Sequence, residues 1–235
     1  MTVRVSHLTT GSSAAGAAAY TTASITPTAD RPVVVGVVTG GAGIAPTATI
    51  AGNGITYAQD TTETRTFNGG YRLTTFTGSN AAPTTGTIVI TLAGAQLVAA
   101  WTVFELIDTD LPIVQTDADN GVGTTQDLTL STFADSENGA VAIYGSSVNT
   151  AQSWTPTTGW TAIGSDGADG VGRAAFIGSA FIQESALTTA GTVGTFAQSG
   201  HIVAWAAEVT AAAVASRSAH AGSYIPLTTH AAGIT

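Results

Sequence analysis

Two glutamates come closest, by type and placement, to residues that could do chemistry. Glu105 and Glu208 lie near the ends of two similar segments, Gln96–Leu106 and His201–Val209. A pair of carboxylates is the usual acid–base equipment for the cleavage of glycosidic bonds. The structural alternative is that each glutamate marks a strand end, where it is solvated or paired with an arginine. Glycoside hydrolysis is therefore one hypothesis, and the sequence identifies no catalytic residue.

The spacing within the two segments predicts different faces for the two glutamates. Glu105 follows Trp101 by four residues, whereas Glu208 follows Trp205 by three. Side chains alternate along a strand, so Glu105 shares the face of Trp101 and Glu208 lies opposite Trp205 unless a bulge intervenes. We expect the two tryptophans to be equivalent core residues of a duplicated scaffold. The repeat gives no support to a duplicated active site.

Trp154 and Trp160 are the candidate ligand-binding residues. They flank the turn-like segment 155–159, which contains proline, threonines and glycine. A tryptophan exposed on a loop can stack on a sugar ring, so the pair suggests carbohydrate binding. The alternative is a hairpin whose tryptophans cover the end of a β-sandwich.

Metal and cofactor chemistry finds little support in the sequence. The segments Asp117–Gly121 and Ser165–Gly170 are rich in oxygen ligands, but the glycine and closing glutamate of a calcium loop are missing or displaced. We interpret both as turns built on aspartate side chains and leave calcium open as the alternative. The chain has no cysteine, and its histidines lack metal-ligand spacing. These are His7, His201, His220 and His230. We predict no metal site and no cofactor.

Short β-type runs separated by turn residues must position these side chains. In the first half they are 24–28, 32–39, 47–50 with 54–58, 63–67, 71–77, 86–92 and 96–106; in the second they are 127–133, 139–146, 160–163, 173–182, 192–198 and 201–209. Runs of this length and spacing predict an all-β protein, a jelly-roll-like β-sandwich with two internally similar halves. Val33–Val38 is apolar on both faces, which predicts a central strand covered on both sides.

The same pattern divides the chain into four parts. We predict an N-terminal arm at 1–22, a first sandwich half at 23–110, a second half at 111–210 and a C-terminal tail at 211–235. An acidic joint at 107–126 separates the halves. The tail either grips a neighbouring subunit or packs back on its own domain. Whether the halves form one domain or two stays open.

Composition limits the partners. The net charge is −9, charged residues make up 9% of the chain, and its basic residues form no cluster. A surface that neutralises phosphates needs several of them, so we expect neither nucleic acid nor an anionic membrane as a partner. The longest strongly apolar run, Val33–Val38, is far shorter than the roughly 20 residues of a membrane helix, and the N-terminus lacks a secretory core. We expect synthesis in a cytoplasm.

Several strings resemble a loose group of β-rich proteins encoded by tailed bacteriophages and prophages. The strings are Ala23–Val35, Gly54–Tyr57, Tyr71–Phe76 and Ala100–Glu105, and the resemblance extends over roughly residues 20–210. Such proteins are usually structural or adhesive parts of particles, and the resemblance brings no catalytic residues.

The resulting expectation is a non-enzymatic virion structural protein, such as a capsid decoration, spike or tail component. It would be made in the host cytoplasm and located in the virion. Its partners would be other virion proteins and copies of itself in a homo-oligomer, because arms and apolar strands favour neighbours. A carbohydrate-binding adhesion module that contacts a cell-surface glycan is the alternative, and a glycoside hydrolase is a further one.

Overall fold

The computed structural model describes residues 2–41, 46–65, 70–147, 152–170, 173–183 and 191–212. Within these ranges the chain forms seventeen β-strands and no helix. Valine, isoleucine and threonine recur in the strands, because β-branched side chains suit a pleated surface, while Asp30, Asn53 and Gly54 occupy turns. The predicted all-β class and β-sandwich architecture are confirmed.

Each half of the chain contributes one set of strands. The first half contains β1 (Arg4–Ser13), β2 (Ala17–Thr21), β3 (Val33–Gly40), β4 (Ala48–Gly52), β5 (Ala58–Arg65), β6 (Tyr71–Gly78), β7 (Ile88–Gln96) and β8 (Val98–Ile107). The second half contains β9 (Thr109–Gly123), β10 (Asp127–Leu128), β11 (Gly139–Ser147), β12 (Trp154–Pro156), β13 (Thr161–Gly170), β14 (Arg173–Gln183), β15 (Gly191–Thr192), β16 (Gly194–Phe196) and β17 (Gly200–Ala211).

Both halves arrange their strands in the same order. The large sheet of the first half runs β1-β8-β3-β6-β5, and that of the second runs β9-β17-β11-β14-β13. If β15 and β16 count as one interrupted strand, each half uses its first, eighth, third, sixth and fifth strands in that sequence. A smaller layer follows the same rule, with β2-β7-β4 in the first half and the pairs β10-β15 and β12-β16 in the second.

The two large sheets pack face to face around a central core. Val34, Phe104 and Leu106 of the first sheet meet Ile143 and Trp205 of the second in one continuous buried cluster. The halves therefore share apolar surface and form one packed unit.

Each large sheet covers a second core on its other face. Beneath β2-β7-β4 lie residues such as Val35, Ile88 and Ile90, and beneath the two small sheets of the second half lie Tyr144 and Phe196. Strand β3 contributes to the central core and to the first outer core, and all of its residues are buried. The prediction of a central strand covered on both sides is therefore correct.

The predicted boundaries need correction at both ends of the first half. The sequence predicts an arm at 1–22, but β1 pairs with β8 and β2 pairs with β7. The predicted joint at 107–126 contains β9, which pairs along β17. The halves therefore run from 4 to 107 and from 109 to 211. Local periodicity misses these strands because pairing with distant strands stabilises them.

Smaller differences concern single elements. The segment predicted as a strand at 24–28 makes only an isolated bridge, between Ile25 and Gly86. Trp154–Pro156, expected at the edge of a turn, is a short strand paired with β16. The tail beyond residue 212 lies outside the described residues.

Candidate functional site

Glu105 is a buried structural clamp in the first half. Its side chain lies on the outer face of β8 and is 3% exposed. One carboxylate oxygen accepts a hydrogen bond from the Thr28 backbone N–H at 2.9 Å. The other accepts from the Thr28 hydroxyl at 3.0 Å and from the Arg31 guanidinium at 2.7 Å. These bonds fix the loop between β2 and β3, and the ion pair fulfils the structural alternative stated for this glutamate.

Glu208 has the same role in the second half with different donors. It is fully buried and accepts hydrogen bonds from Gln115 Nε2 at 2.6 Å, the Ala134 N–H at 2.9 Å and Asn138 Nδ2 at 2.5 Å. Asn138 in turn accepts from the Ala211 N–H. The carboxylate therefore fixes the loop between β10 and β11, which corresponds to the loop that Glu105 fixes.

The register of the strands makes the two glutamates equivalent. Glu105 pairs with Val33 of β3, and Glu208 pairs with Ala140 of β11, the corresponding strand. The neighbours of each glutamate point into the central core, so both carboxylates face the outer layer of their own half. Val98–Leu106 thus aligns with His201–Val209 without a gap.

The tryptophans are the residues that fail to correspond. Trp101 belongs to the first outer core and Trp205 to the central core. Both are buried, as predicted, but the expected equivalence of the two is wrong. They stand one position apart in the alignment and therefore on opposite faces.

This geometry separates the two carboxylates. They project from the outer faces of two sheets that pack through their inner faces, and the donors of each come from its own half. Paired catalysis of glycoside cleavage needs two carboxyl groups within about 10 Å on either side of one bond. Glu105 and Glu208 do not form such a pair.

Trp154 lies in the second outer core. It is 7% exposed, and its ring packs near Tyr144 with ring centroids 6.2 Å apart. A Cβ atom added at Gly178 or at Gly194 would collide with the indole. The ring therefore packs directly against the backbone of these two glycines. The prediction that Trp154 is an exposed sugar-stacking residue is wrong, because the short strand β12 carries it inward.

Trp160 is half-buried and packs against the edge of the same core. Its backbone N–H donates to the Thr157 carbonyl at 3.0 Å and closes a turn in which Gly159 has a φ of 95°. Of the two predicted ligand-binding tryptophans, Trp154 is buried and Trp160 is partly exposed.

The acidic segments are strands and not turns. Asp117–Gly121 pairs with Ile202–Ala206, and Ser165–Asp169 pairs with Ala174–Gly178. Asp117 accepts a hydrogen bond from the Thr129 N–H at 2.6 Å, and Asp119 accepts one from Gln126 Nε2 at 2.5 Å. In the described part of the chain no three potential metal ligands cluster.

A tyrosine lies beside the first of these segments. The Tyr144 hydroxyl donates to the Gln126 carbonyl at 2.5 Å. Burial, together with the negative charges of Asp127, Asp117 and Asp119, raises the pKa of Tyr144 far above its ordinary value. The group is therefore a neutral hydrogen-bond donor that fastens the β9–β10 connection.

A pocket of about 330 Å³ lies where β17 ends. Asp135, Glu137 and Asn138 line one side, and residues 210–212 line the other. Asn138, one of its polar lining residues, already donates a hydrogen bond to Glu208 and accepts one from the Ala211 N–H. No sequence motif indicates this pocket, because its two sides are distant in the chain.

Charge is divided unequally between the halves. Residues 1–107 contain four arginines and four acidic residues, whereas residues 108–212 contain one arginine and eleven acidic residues. The outer face of β2-β7-β4 is uncharged and exposes alanine, threonine and Val89. The first half is therefore neutral overall, and the second half is acidic.

Comparison with known proteins gives no relative. No protein-family model, no curated protein and no solved structure matches the chain. Among the described residues no helix is long and apolar enough to span a membrane.

Proposed function

We propose that this protein is a non-enzymatic structural component of a tailed-bacteriophage particle, made in the host cytoplasm and incorporated as a decoration, spike or tail part. The observation that carries the proposal is the use of Glu105 and Glu208, the residues closest to a catalytic pair, as equivalent buried clamps. The donors to each carboxylate are backbone, amide, hydroxyl or guanidinium groups of its own half.

The division of charge supports assembly with other virion proteins and with further copies. The uncharged outer face of the first half presents no electrostatic repulsion to a neighbour. The acidic second half disfavours close contact with the second half of another copy, because both carry negative charge. Self-association and contact with other particle proteins are therefore expected through the first half.

The pairing of strands supports a more specific architecture. In the first half β1 pairs with β8, β2 with β7 and β3 with β6, and the second half repeats this nesting. Nested pairs rolled into two layers are the arrangement of a jelly roll, which we propose for each half. Strand β5 departs from it, since it joins the large sheet beside β6.

The test of the virion proposal is mass spectrometry of particles purified from an induced or infected culture. We expect peptides of this chain at stoichiometric abundance relative to other structural proteins. Its absence from particles that are otherwise complete would contradict the proposal.

Glycan binding at Trp160 is the second candidate, favoured by the partial exposure of this tryptophan at the turn of residues 157–160. Trp160→Ala is then expected to abolish binding on a glycan array and to leave the thermal midpoint nearly unchanged. Trp154→Ala is the contrasting variant, since the loss of a buried tryptophan costs about 3–5 kcal/mol of stability. A large fall in the midpoint of Trp160→Ala would place that residue in the core instead.

A further inference from the structure

One residue joins the two halves. Strand β8 ends at Ile107, which pairs with Arg4, and β9 begins at Thr109, which pairs with Ala211. Between them stands Asp108 with a φ of 56°. This left-handed conformation is uncommon outside glycine, although aspartate tolerates it better than most residues.

Both the side chain and the backbone of Asp108 make contacts at this junction. The Asp108 carboxylate accepts hydrogen bonds from Arg4 at 2.6 and 3.1 Å, and its carbonyl accepts from the Ala212 N–H at 2.8 Å. The Arg4 side chain is 64% exposed, and exposed ion pairs contribute little to stability. If Asp108 took an extended conformation, β8 and β9 would continue as one strand and the second half would swing away from the first.

The two halves are suited to separation as units. Each keeps its own outer core beneath its own small sheets, and opening at Asp108 leaves those cores intact. What opening exposes is the central core, which contains large buried side chains such as Phe104 and Trp205. An opened chain must therefore cover that apolar face again.

The central interface fits only the opposite half. Because Val33 and Ala140 occupy equivalent positions, Gly36 corresponds to Ile143 and Val38 to Gly145. A Cβ atom at Gly36 would lie 2.7 Å from Ile143 Cδ1, and one at Gly145 would collide with Val38. Each half thus presents a glycine where the other presents a branched side chain.

This complementarity rejects pairing of like halves. Two first halves would set Gly36 against Gly36, which leaves a void, and Val38 against Val38, which overlaps. Two second halves would suffer the reverse faults. Voids and overpacking both destabilise a core.

We propose that this chain binds a second copy of itself by exchanging halves about Asp108, so that the first half of each copy packs on the second half of the other. The exchanged dimer retains the central core and changes only the junction, which is the condition for low-cost domain swapping. The proposal is independent of a role in a virus particle.

The first test changes the junction of the full chain. Asp108→Val favours the extended conformation, because β-branched residues avoid positive φ, and Asp108→Gly favours the closed one. After refolding from denaturant at high concentration, light scattering coupled to size exclusion should show at least a tenfold higher dimer-to-monomer ratio for Asp108→Val than for Asp108→Gly. Equal ratios would overturn the proposal.

The second test distinguishes exchange from other dimers. Gly36→Val overfills the central core and Ile143→Ala leaves a void, so each full-length variant is impaired alone. Refolded together with one chain isotopically labelled, they should form mainly mixed dimers. In the mixed exchanged dimer, the first half that carries Gly36→Val packs on the second half that carries Ile143→Ala, so the added and removed volumes compensate. The other first half, with Gly36, packs on the other second half, with Ile143, and makes the native contact. Native mass spectrometry measures the ratio of mixed dimers to dimers of identical chains.

The matched control mixes Gly36→Val with Ile90→Ala. Ile90 lies in the first outer core, so exchange of halves repairs neither defect and no enrichment of mixed dimers is expected. Equal yields of mixed dimer from both mixtures would show that dimers form by surface contact, and the proposal would fail.

Discussion

At the residue scale, the same amino acid that suggests chemistry serves to hold a loop. Glu105 and Glu208 are buried, and buried carboxylates persist where several donors compensate for lost water. Different donors supply that compensation in the two halves: a threonine and an arginine in the first, and two side-chain amides with a backbone N–H in the second. The clamp is therefore a shared solution with separate partners.

Removal of the second clamp tests this interpretation. Glu208→Ala removes the acceptor of Asn138 Nδ2 and of the Ala134 N–H, and one of the two acceptors of Gln115 Nε2. We therefore expect the free energy of unfolding to fall by about 3–5 kcal/mol. Urea denaturation measures the loss. Asp169→Ala, at an exposed carboxylate of β13, is the control and should change stability by less than about 0.5 kcal/mol. Similar values for both variants would contradict the clamp.

Substitution by phenylalanine should have opposite effects on stability at two tyrosines. The Tyr57 hydroxyl is buried without a hydrogen-bond partner, whereas the Tyr20 hydroxyl donates to the Gln96 carbonyl at 2.7 Å. Tyr57→Phe is expected to leave stability unchanged or raise it by about 1 kcal/mol, and Tyr20→Phe to lower it by about 1 kcal/mol. Paired denaturation curves would show the difference, and a larger loss for Tyr57→Phe would refute it.

Burial also raises the pKa of Tyr57 from 10.0 to about 12. The folded protein then retains a proton that the unfolded chain releases, so this residue's contribution to stability is present below pH 10 and is lost as the pH rises towards 12. The fall in the free energy of unfolding between pH 10 and pH 12 should therefore be smaller in Tyr57→Phe than in the unchanged protein.

At the element scale, glycines in the strands make room for a large ring. Gly178 of β14 and Gly194 of β16 both lie against the Trp154 indole. Their place within strands is otherwise unfavourable, because glycine loses the most backbone freedom on folding. The sequence shows these glycines and the tryptophan but not their contact, since β12, β14 and β16 are separate in the chain.

Substitution of one such glycine should be costly. Gly178→Ala is expected to lower the free energy of unfolding by about 2–3 kcal/mol, because its Cβ would meet the indole. Gly94→Ala in β7 is the control: no heavy atom lies within 4 Å of its added Cβ, so stability should stay the same or rise slightly. Thermal unfolding compares them, and an equally stable Gly178→Ala would show that the ring is not confined.

At the scale of the whole molecule, two similar halves have become complementary. The hydroxyls of Thr102 in β8 and Ser179 in β14 lie 2.9 Å apart in the buried interface. These two strands do not correspond to each other in the repeat, because β8 corresponds to β17. Sheet order thus repeats while the facing side chains differ. This difference makes one closed molecule out of a repeated scaffold.

A double-mutant cycle measures that complementarity within one chain. Gly36→Val is expected to cost about 1–3 kcal/mol and Ile143→Ala about 2–5 kcal/mol. The double variant conserves volume across the interface, so its loss should be smaller than the sum by about 1–3 kcal/mol. Strict additivity would mean that residues 36 and 143 do not share a packing site.

The sequence by itself determined the all-β class, the repeated scaffold and the burial of Val33–Val38, Trp101 and Trp205. Val33–Val38 is apolar on both faces, and Trp101 and Trp205 sit within apolar strands; such patterns are local and legible in the chain. The tertiary structure alone decided that β1, β2 and β9 are strands, that Trp154 faces inward and that the glutamates are equivalent while the tryptophans are not. Those outcomes depend on register between distant strands, and a shift of one residue reverses every side chain, which no local pattern specifies.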